Sequence, residues 1–283
     1  MIDRRAAFHA LHRAGRPLLL PNAWDHASAA ALAVRGHPAI GTTSLGVAAT
    51  AGLPDGAAAT AGETLALARR LARLPVLLSV DVEAGFSDDP AEVAEYVAEL
   101  AGFGVVGINL EDGRADGTLA DTEVAAAKVA AVKAAVPELF INARTDTWWL
   151  GVDDPLPQTL ARARAYRLAG ADGIFVPGTV DLATLRVLTE RIDAPVNALY
   201  QPGGPGLAEL TAAGVARVST GSLLFRAALA AVVAAADAVR DGGLIAPRGL
   251  PSYAEVQAWC RRTATDGGSH PGPGRRRRSV RGK

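Results

Sequence analysis

Residues Val76–Glu83 read VLLSVDVE, Val105–Asp112 read VVGINLED and Leu139–Asp146 read LFINARTD. Each is a short apolar run ending in a polar or charged cluster, the pattern of a buried parallel strand whose carboxyl end meets solvent. The same form recurs in LLLPNAWD (Leu18–Asp25), AIGTTS (Ala39–Ser44), GIFVPG (Gly173–Gly178), PVNALY (Pro195–Tyr200) and ARVSTG (Ala216–Gly221), eight runs in all. Between them lie stretches with helical spacing, such as Pro90-AEVAEYVAELAGFG and Asp121-TEVAAAKVAAVKAAVP. Strand and helix alternating in this way predict a (β/α)8 TIM barrel, with its chemistry at the carboxyl ends of the strands. A doubly wound open sheet is the alternative, weakened because no GxGxxG loop follows the first run.

Punctuation fits this reading. Ser87, Asp88 and Asp89 precede Pro90, which predicts a capped helix start with proline in the first turn. Gly102, Gly170 and Gly214 fall near expected helix ends, where a left-handed residue turns the chain toward the next strand. After the eighth run, Leu223–Arg240 and the stretch 253–262 read as extra C-terminal helices, so residues 1–262 form one barrel domain. Residues 263–283, TATDGGSHPGPGRRRRSVRGK, have no periodic apolar face and read as a disordered Arg-rich tail.

Apolar residues make up 49% of the 283-residue chain and aromatics 5%, so the core is built of Ala, Leu and Val. No apolar run approaches the roughly 18–20 residues of a membrane span, and MIDRRAAFHALHRAG lacks a signal-type apolar core. A cytoplasmic protein without a membrane partner is expected. The single Cys260 excludes a disulfide framework and a multi-cysteine metal site. Formal charge is zero, but the last 21 residues hold six of the 29 basic side chains and one of the 29 acids. The body is therefore acidic, which argues against nucleic acid as a partner.

The third, fourth and fifth runs bring Asp81 and Glu83, Glu111 and Asp112, and Arg144 and Asp146 to one expected mouth. Converging carboxylates are costly unless a cation neutralises them, and an all-oxygen set suits Mg²⁺ or Mn²⁺. Some of these acids could instead cap the next helix or pair with Arg144. Arg144 is the only arginine at a run end near this cluster, and its planar fork suits a substrate carboxylate or phosphate. Thr42, Thr43 and Ser44 lead into the Gly46–Ala51 segment, whose backbone amides could receive an anion; simple capping by Ser44 explains the same residues. The body has only Lys128 and Lys133, both after the fourth run, no histidine ends runs three to eight, and Cys260 lies beyond the barrel. Schiff-base and thiol routes are thereby removed, leaving cation-assisted chemistry on an anionic oxo-acid through an enolate.

At these residues the chain resembles the isocitrate lyase and phosphoenolpyruvate mutase superfamily, through PNAWDHASA, GTTSLGVAATAGLPD, SVDVEAGF, GINLEDG, INARTD and ADGIFVPG, in order from Pro21 to Gly178. The resemblance implies a Mg²⁺-dependent barrel acting on C–C or C–P bonds next to a 2-oxo acid, as a homodimer or homotetramer that exchanges a C-terminal helix. It implies that Asp81 is the direct metal ligand, with Glu111 in the metal shell, and that Arg144 binds substrate; Glu83 is expected to join that shell in place of the family carboxylate that Ser79 replaces. Asp55 falls on the mobile segment after the second run, and Trp24, Thr43, Ser44 and Gly46 fall at the pocket. Arg144, Asp55 and Glu111 are the catalytic candidates.

Departures narrow the reading. Ser79 stands where members usually carry an aspartate, and GRADGTLAD (Gly113–Asp121) stands where the lyases place a catalytic cysteine loop. The sixth run ends in Pro177-Gly178 rather than near the histidine typical of mutases. The expected activity is a Mg²⁺-dependent C–C lyase or decarboxylase on a small 2-oxo acid. C–P chemistry on phosphonopyruvate or phosphoenolpyruvate, or a non-catalytic oxo-acid-binding barrel, are the alternatives.

Overall fold

In the computed structural model, which describes residues 3–179, 181–245 and 249–261, the eight runs form one closed parallel sheet. The chain begins with α1 (Arg4–His9), followed by β1 (Leu18–Leu20), β2 (Asn22–Ala23), α2 (His26–Val34), β3 (Ala39–Thr42), α3 (Ser44–Ala51) and α4 (Ala61–Leu71). It continues through β4 (Leu77–Asp81), α5 (Pro90–Gly102), β5 (Gly107–Glu111), α6 (Thr122–Ala135), β6 (Phe140–Arg144) and α7 (Pro155–Leu168). Then come β7 (Gly173–Phe175), α8 (Leu182–Arg191), β8 (Val196–Leu199), α9 (Leu207–Ala212), β9 (Arg217–Ser219), α10 (Leu223–Arg240) and α11 (Tyr253–Arg261). The expected TIM barrel with extra C-terminal helices is the architecture observed. No helix among the described residues is long and apolar enough to cross a membrane.

The first run is not one strand but two. Pro21 has no N–H for the ladder, so the run splits there, with β1 pairing β9 and β2 pairing β3. Asn22 bridges this seam. Its Oδ1 accepts from the backbone N of Thr220 and of Gly221, both at 3.0 Å, and its Nδ2 donates to the Thr42 carbonyl at 2.6 Å. One side-chain amide thus ties the exit of β9 to the end of β3.

Alternation along the strands sorts residues to two faces. Ile40, Leu78, Val80, Ile108, Ile141 and Ile174 point outward and join helix residues such as Leu71, Val97, Leu100, Val129 and Val132 in one buried cluster. The intervening positions point inward, and a smaller apolar group, Phe8, Leu18, Leu20, Ala39 and Phe140, fills the barrel's lower end. There α1 acts as a plug. His12 stacks on Phe140 at 3.9 Å, and a Cβ on Gly107 would lie 2.6 Å from Phe8 Cε1, so only glycine admits that ring.

Helix boundaries follow their capping chemistry. Asp89 caps α5 by accepting from Ala91 N, with Pro90 in the first turn as expected. Gly102 is itself helical, and the left-handed residue after α5 is Gly104 at φ +96°; Gly170 takes φ +104° after α7. The final helix ends at Arg261 among the described residues, and the expectation of disorder for 263–283 lies outside them. On α10, Phe225 is buried against Trp24, whereas Leu229, Val232, Val233 and Val239 are exposed.

Asp112 holds the exits of two strands to an outer helix. It is buried, and its Oδ2 accepts from Tyr166 Oη at 2.6 Å and Arg162 Nη1 at 3.0 Å, while Oδ1 accepts from Asp146 N at 2.8 Å. Removing the phenol hydroxyl by Tyr166→Phe deprives a buried carboxylate of one donor and should cost about 1.5–3 kcal/mol of stability. Denaturant titration checks this: the midpoint should fall with an unchanged slope, and an unmoved midpoint would show that Arg162 suffices.

Candidate active site

The carboxyl ends of the strands surround a cavity of about 600 Å³. Its floor is set by register, because Asp81 pairs with Asn109 across β4 and β5, and Glu111 pairs with Arg144 across β5 and β6. Arg144 Nη1 lies 2.6 Å from Glu111 Oε2, and Nε donates to Asp146 Oδ1 at 2.6 Å. The guanidinium sits between the rings of Phe175 and Trp149, 5.7 and 5.8 Å from their centroids. Nη2 has no hydrogen-bond partner among the described residues, so part of the fork still faces the cavity. Of the two readings of Arg144, anchor and counter-ion, the geometry accommodates both.

Charge is unbalanced here. Asp81, Glu111 and Asp146 share one adjacent guanidinium, and burial outweighs its attraction in all three, raising their pKa values, Glu111 well above the ordinary carboxylate range. Burial alone would lower the Arg144 pKa, but Glu111, Asp146 and Asp81 together raise it. Asp81 has no ion pair among the described residues; its Oδ1 accepts from Glu83 N at 3.3 Å, and the backbone amide of Ser44 also works to lower its pKa. Thr42 Oγ1 accepts from Asp81 N at 2.8 Å, and Thr43, the cap of α3, makes no side-chain cap bond. The start of α3 is therefore directed at Asp81, rather than being closed by the Thr43 or Ser44 hydroxyls.

Among the described residues no three His, Cys, Asp or Glu side chains form a ready-made metal cage. The donor set instead suits a hard cation that takes one or two carboxylates and completes its shell with water and substrate oxygens. Asp81, with Glu111 beside it, could hold such an ion. Glu83, expected in that shell, is turned elsewhere: Oε1 accepts from Thr60 Oγ1 at 2.6 Å and Oε2 from Ala58 N at 3.2 Å. It adopts φ +49°, its burial raises the carboxyl pKa, and it faces a neighbouring cavity. Its carboxylate pins the segment that carries Asp55, itself exposed at the rim of the main cavity.

Thr43 and Ser44 line the main cavity, whereas Trp24 and Gly46 stand behind its wall. They pack on each other so closely that a Cβ on Gly46 would meet Trp24 Cβ at 2.6 Å. Lys128 is buried in α6 and donates to the Ala84 carbonyl at 3.0 Å, holding the loop after β4. Among the described residues no lysine, histidine or cysteine lines the main cavity.

Sequence reading overlooked a second arginine. Arg217, in β9, lies inside the barrel with 1% of its surface exposed, and burial, opposed by Asp81, pushes its pKa down to about 9. The signal was available: most runs carry one polar residue at an inward position, among them Asn22, Ser79, Asn109, Asn142, Asn197 and Ser219. Arg226, from the first turn of α10, also reaches the cavity rim.

Known proteins resemble this chain over most of its length. A protein of Mycobacterium tuberculosis with no assigned activity is 50% identical over 252 residues, covering 89% of this chain and 95% of its own length. Oxaloacetate decarboxylase of Ectopseudomonas mendocina is 35% identical over 195 residues, 64% of either chain. A Burkholderia cenocepacia structure described only provisionally as a phosphonomutase is 40% identical with a TM-score of 0.79, covering 83% of this chain and 99% of its own. The family profile of phosphoenolpyruvate phosphomutase matches residues 8–240, and the chain belongs to that family, within the phosphoenolpyruvate mutase/isocitrate lyase superfamily.

Proposed function

We propose that this protein cleaves a C–C bond next to the carbonyl of a small 2-oxo acid, as a lyase or decarboxylase, with Mg²⁺ or Mn²⁺ bound at Asp81. The observation that carries this reading is the carboxylate excess around Arg144 in a cavity that no lysine, histidine or cysteine lines among the described residues. A bound divalent cation would supply Lewis-acid stabilisation of the enolate oxygen. The similarity to an oxaloacetate decarboxylase supports oxaloacetate or a substituted malate as substrate class.

The chain's own residues then have distinct tasks. The free part of the Arg144 fork holds the substrate carboxylate, and its charge stabilises the enolate as it develops. When oxaloacetate loses CO₂, the bonding pair moves into the enolate of pyruvate, and one proton must reach the enolate carbon. Asp55, on the segment above the cavity, and Glu111, at the mouth beside Arg144, are the candidate groups to deliver it.

C–P bond chemistry on phosphonopyruvate is the second reading, favoured by the similarity to a phosphonomutase. The products separate the two: pyruvate with CO₂ or an aldehyde supports C–C cleavage, whereas phosphate or a rearranged phosphonate overturns it. We also propose a cytoplasmic homo-oligomer. The exposed Leu229, Val232, Val233 and Val239 of α10 supply an apolar face for a second copy.

Asp81→Ala should abolish Mg²⁺-dependent oxalate binding and pyruvate release while leaving the circular dichroism spectrum unchanged; retained Mg²⁺-dependent binding would remove Asp81 from the cation site. Arg144→Lys keeps the charge but loses the planar fork. It should lower kcat/KM by an amount equivalent to about 2–3 kcal/mol of transition-state stabilisation. Turnover measured beside Tm decides its role: near-native kcat/KM with a lowered Tm would make Arg144 a counter-ion alone.

A further inference from the structure

The buried guanidinium of Arg217 has no carboxylate within ion-pair distance among the described residues. Its Nε donates to Ser219 Oγ at 3.2 Å and its Nη2 to Asn109 Oδ1 at 3.0 Å, while Nη1 is buried without a partner. A charge placed in a barrel interior at such cost calls for a reason beyond packing.

Asn109 supplies it. Its Oδ1 also accepts from Asn142 Nδ2, at 2.9 Å. A guanidinium has donors only, so the amide atom facing Arg217 must be the oxygen, and the usual ambiguity between the two ends of an asparagine amide is removed. With Oδ1 held by two donors, Nδ2 turns the other way. It finds no acceptor among the described residues, and Asn109 lines the main cavity beside its register partner Asp81.

We propose that Asn109 is a substrate-contacting donor, its Nδ2 aimed at an oxygen of the bound 2-oxo acid beside Asp81, and that Arg217 is the positioning residue that fixes this orientation from below. The proposal rests on the oxo-acid reading of the site. It adds that the pocket recognises its ligand through a neutral amide donor as well as through the charge of Arg144. An anionic oxygen gains from a fixed donor that already points at it, because no reorganisation is required on binding.

Calorimetric titration of the full chain with oxalate at saturating Mg²⁺ tests it. Asn109→Ala should weaken oxalate about tenfold, the scale of one lost hydrogen bond. Asn109→Asp should stay folded, because the new carboxylate meets Arg217, yet lose oxalate binding, because its second oxygen faces the anion. Arg217→Met should weaken oxalate several-fold in the native background and not at all on top of Asn109→Ala, since it acts through that amide. Equal loss in both backgrounds, or native affinity in Asn109→Asp, would overturn the inference. If Arg217→Met does not fold, the two Asn109 variants decide. Native protein that binds no oxalate with Mg²⁺ would overturn the functional reading and this one with it, whereas native binding that is indifferent to Asn109 overturns this one alone.

Discussion

The constraint on which the rest of the site depends is that Glu111 and Arg144 are neighbours by strand register, so an acid and a base from adjacent strands meet at 2.6 Å at the barrel mouth. Register admits no gradual adjustment, since a slip of one residue in either strand would turn that strand's charged side chain into the apolar outer layer and strand its partner. Asp146 joins the pair from the loop beyond β6, and Asp81 stands across the floor. A buried pair of this kind contributes little net stability, yet stranding either partner costs about 3–5 kcal/mol. Loss of Arg144 would therefore leave Glu111 and Asp146 without their shared counter-charge. A cavity that is electrostatically incomplete in this sense is suited to receive an ion or a charged ligand.

The same economy explains how helices and strands share the polar load. Carboxylates on the outer side of the strand ends are satisfied from the helix layer, as Asp112 is by Tyr166 and Arg162. Carboxylates on the inner side are left to the cavity. Two adjacent residues of one strand exit, Glu111 and Asp112, thus have opposite fates for a reason as simple as alternation.

The eight apolar runs and their polar ends were enough to read the barrel, because period and punctuation are local properties. They also placed Asp81, Glu111 and Arg144 together, since the ends of neighbouring parallel strands must converge. Pairings made by loops were not legible: Glu83 shares the strand-end pattern of Asp81 but is taken by Thr60 and Ala58, which the chain returns to it from the previous unit. Trp24 and Gly46 lie in the matching motifs yet pack behind the wall, a matter of side-chain direction that motif order does not encode. Arg217 was missed for a different reason. A charge near the start of an apolar run looks like a strand-edge residue until the sheet closes and puts it in the interior.

The plug formed by α1 has a consequence for traffic. With Phe8 seated against Gly107 and His12 stacked on Phe140, the lower end of the barrel is shut by packed rings. Among the described residues the chamber is a cup, open at the strand ends and closed below. Whatever enters at the mouth beside Asp55 must leave by that mouth, so arrival of a fresh molecule waits on departure of the last one, and the wait is set by how tightly the mouth holds it rather than by a choice of exits.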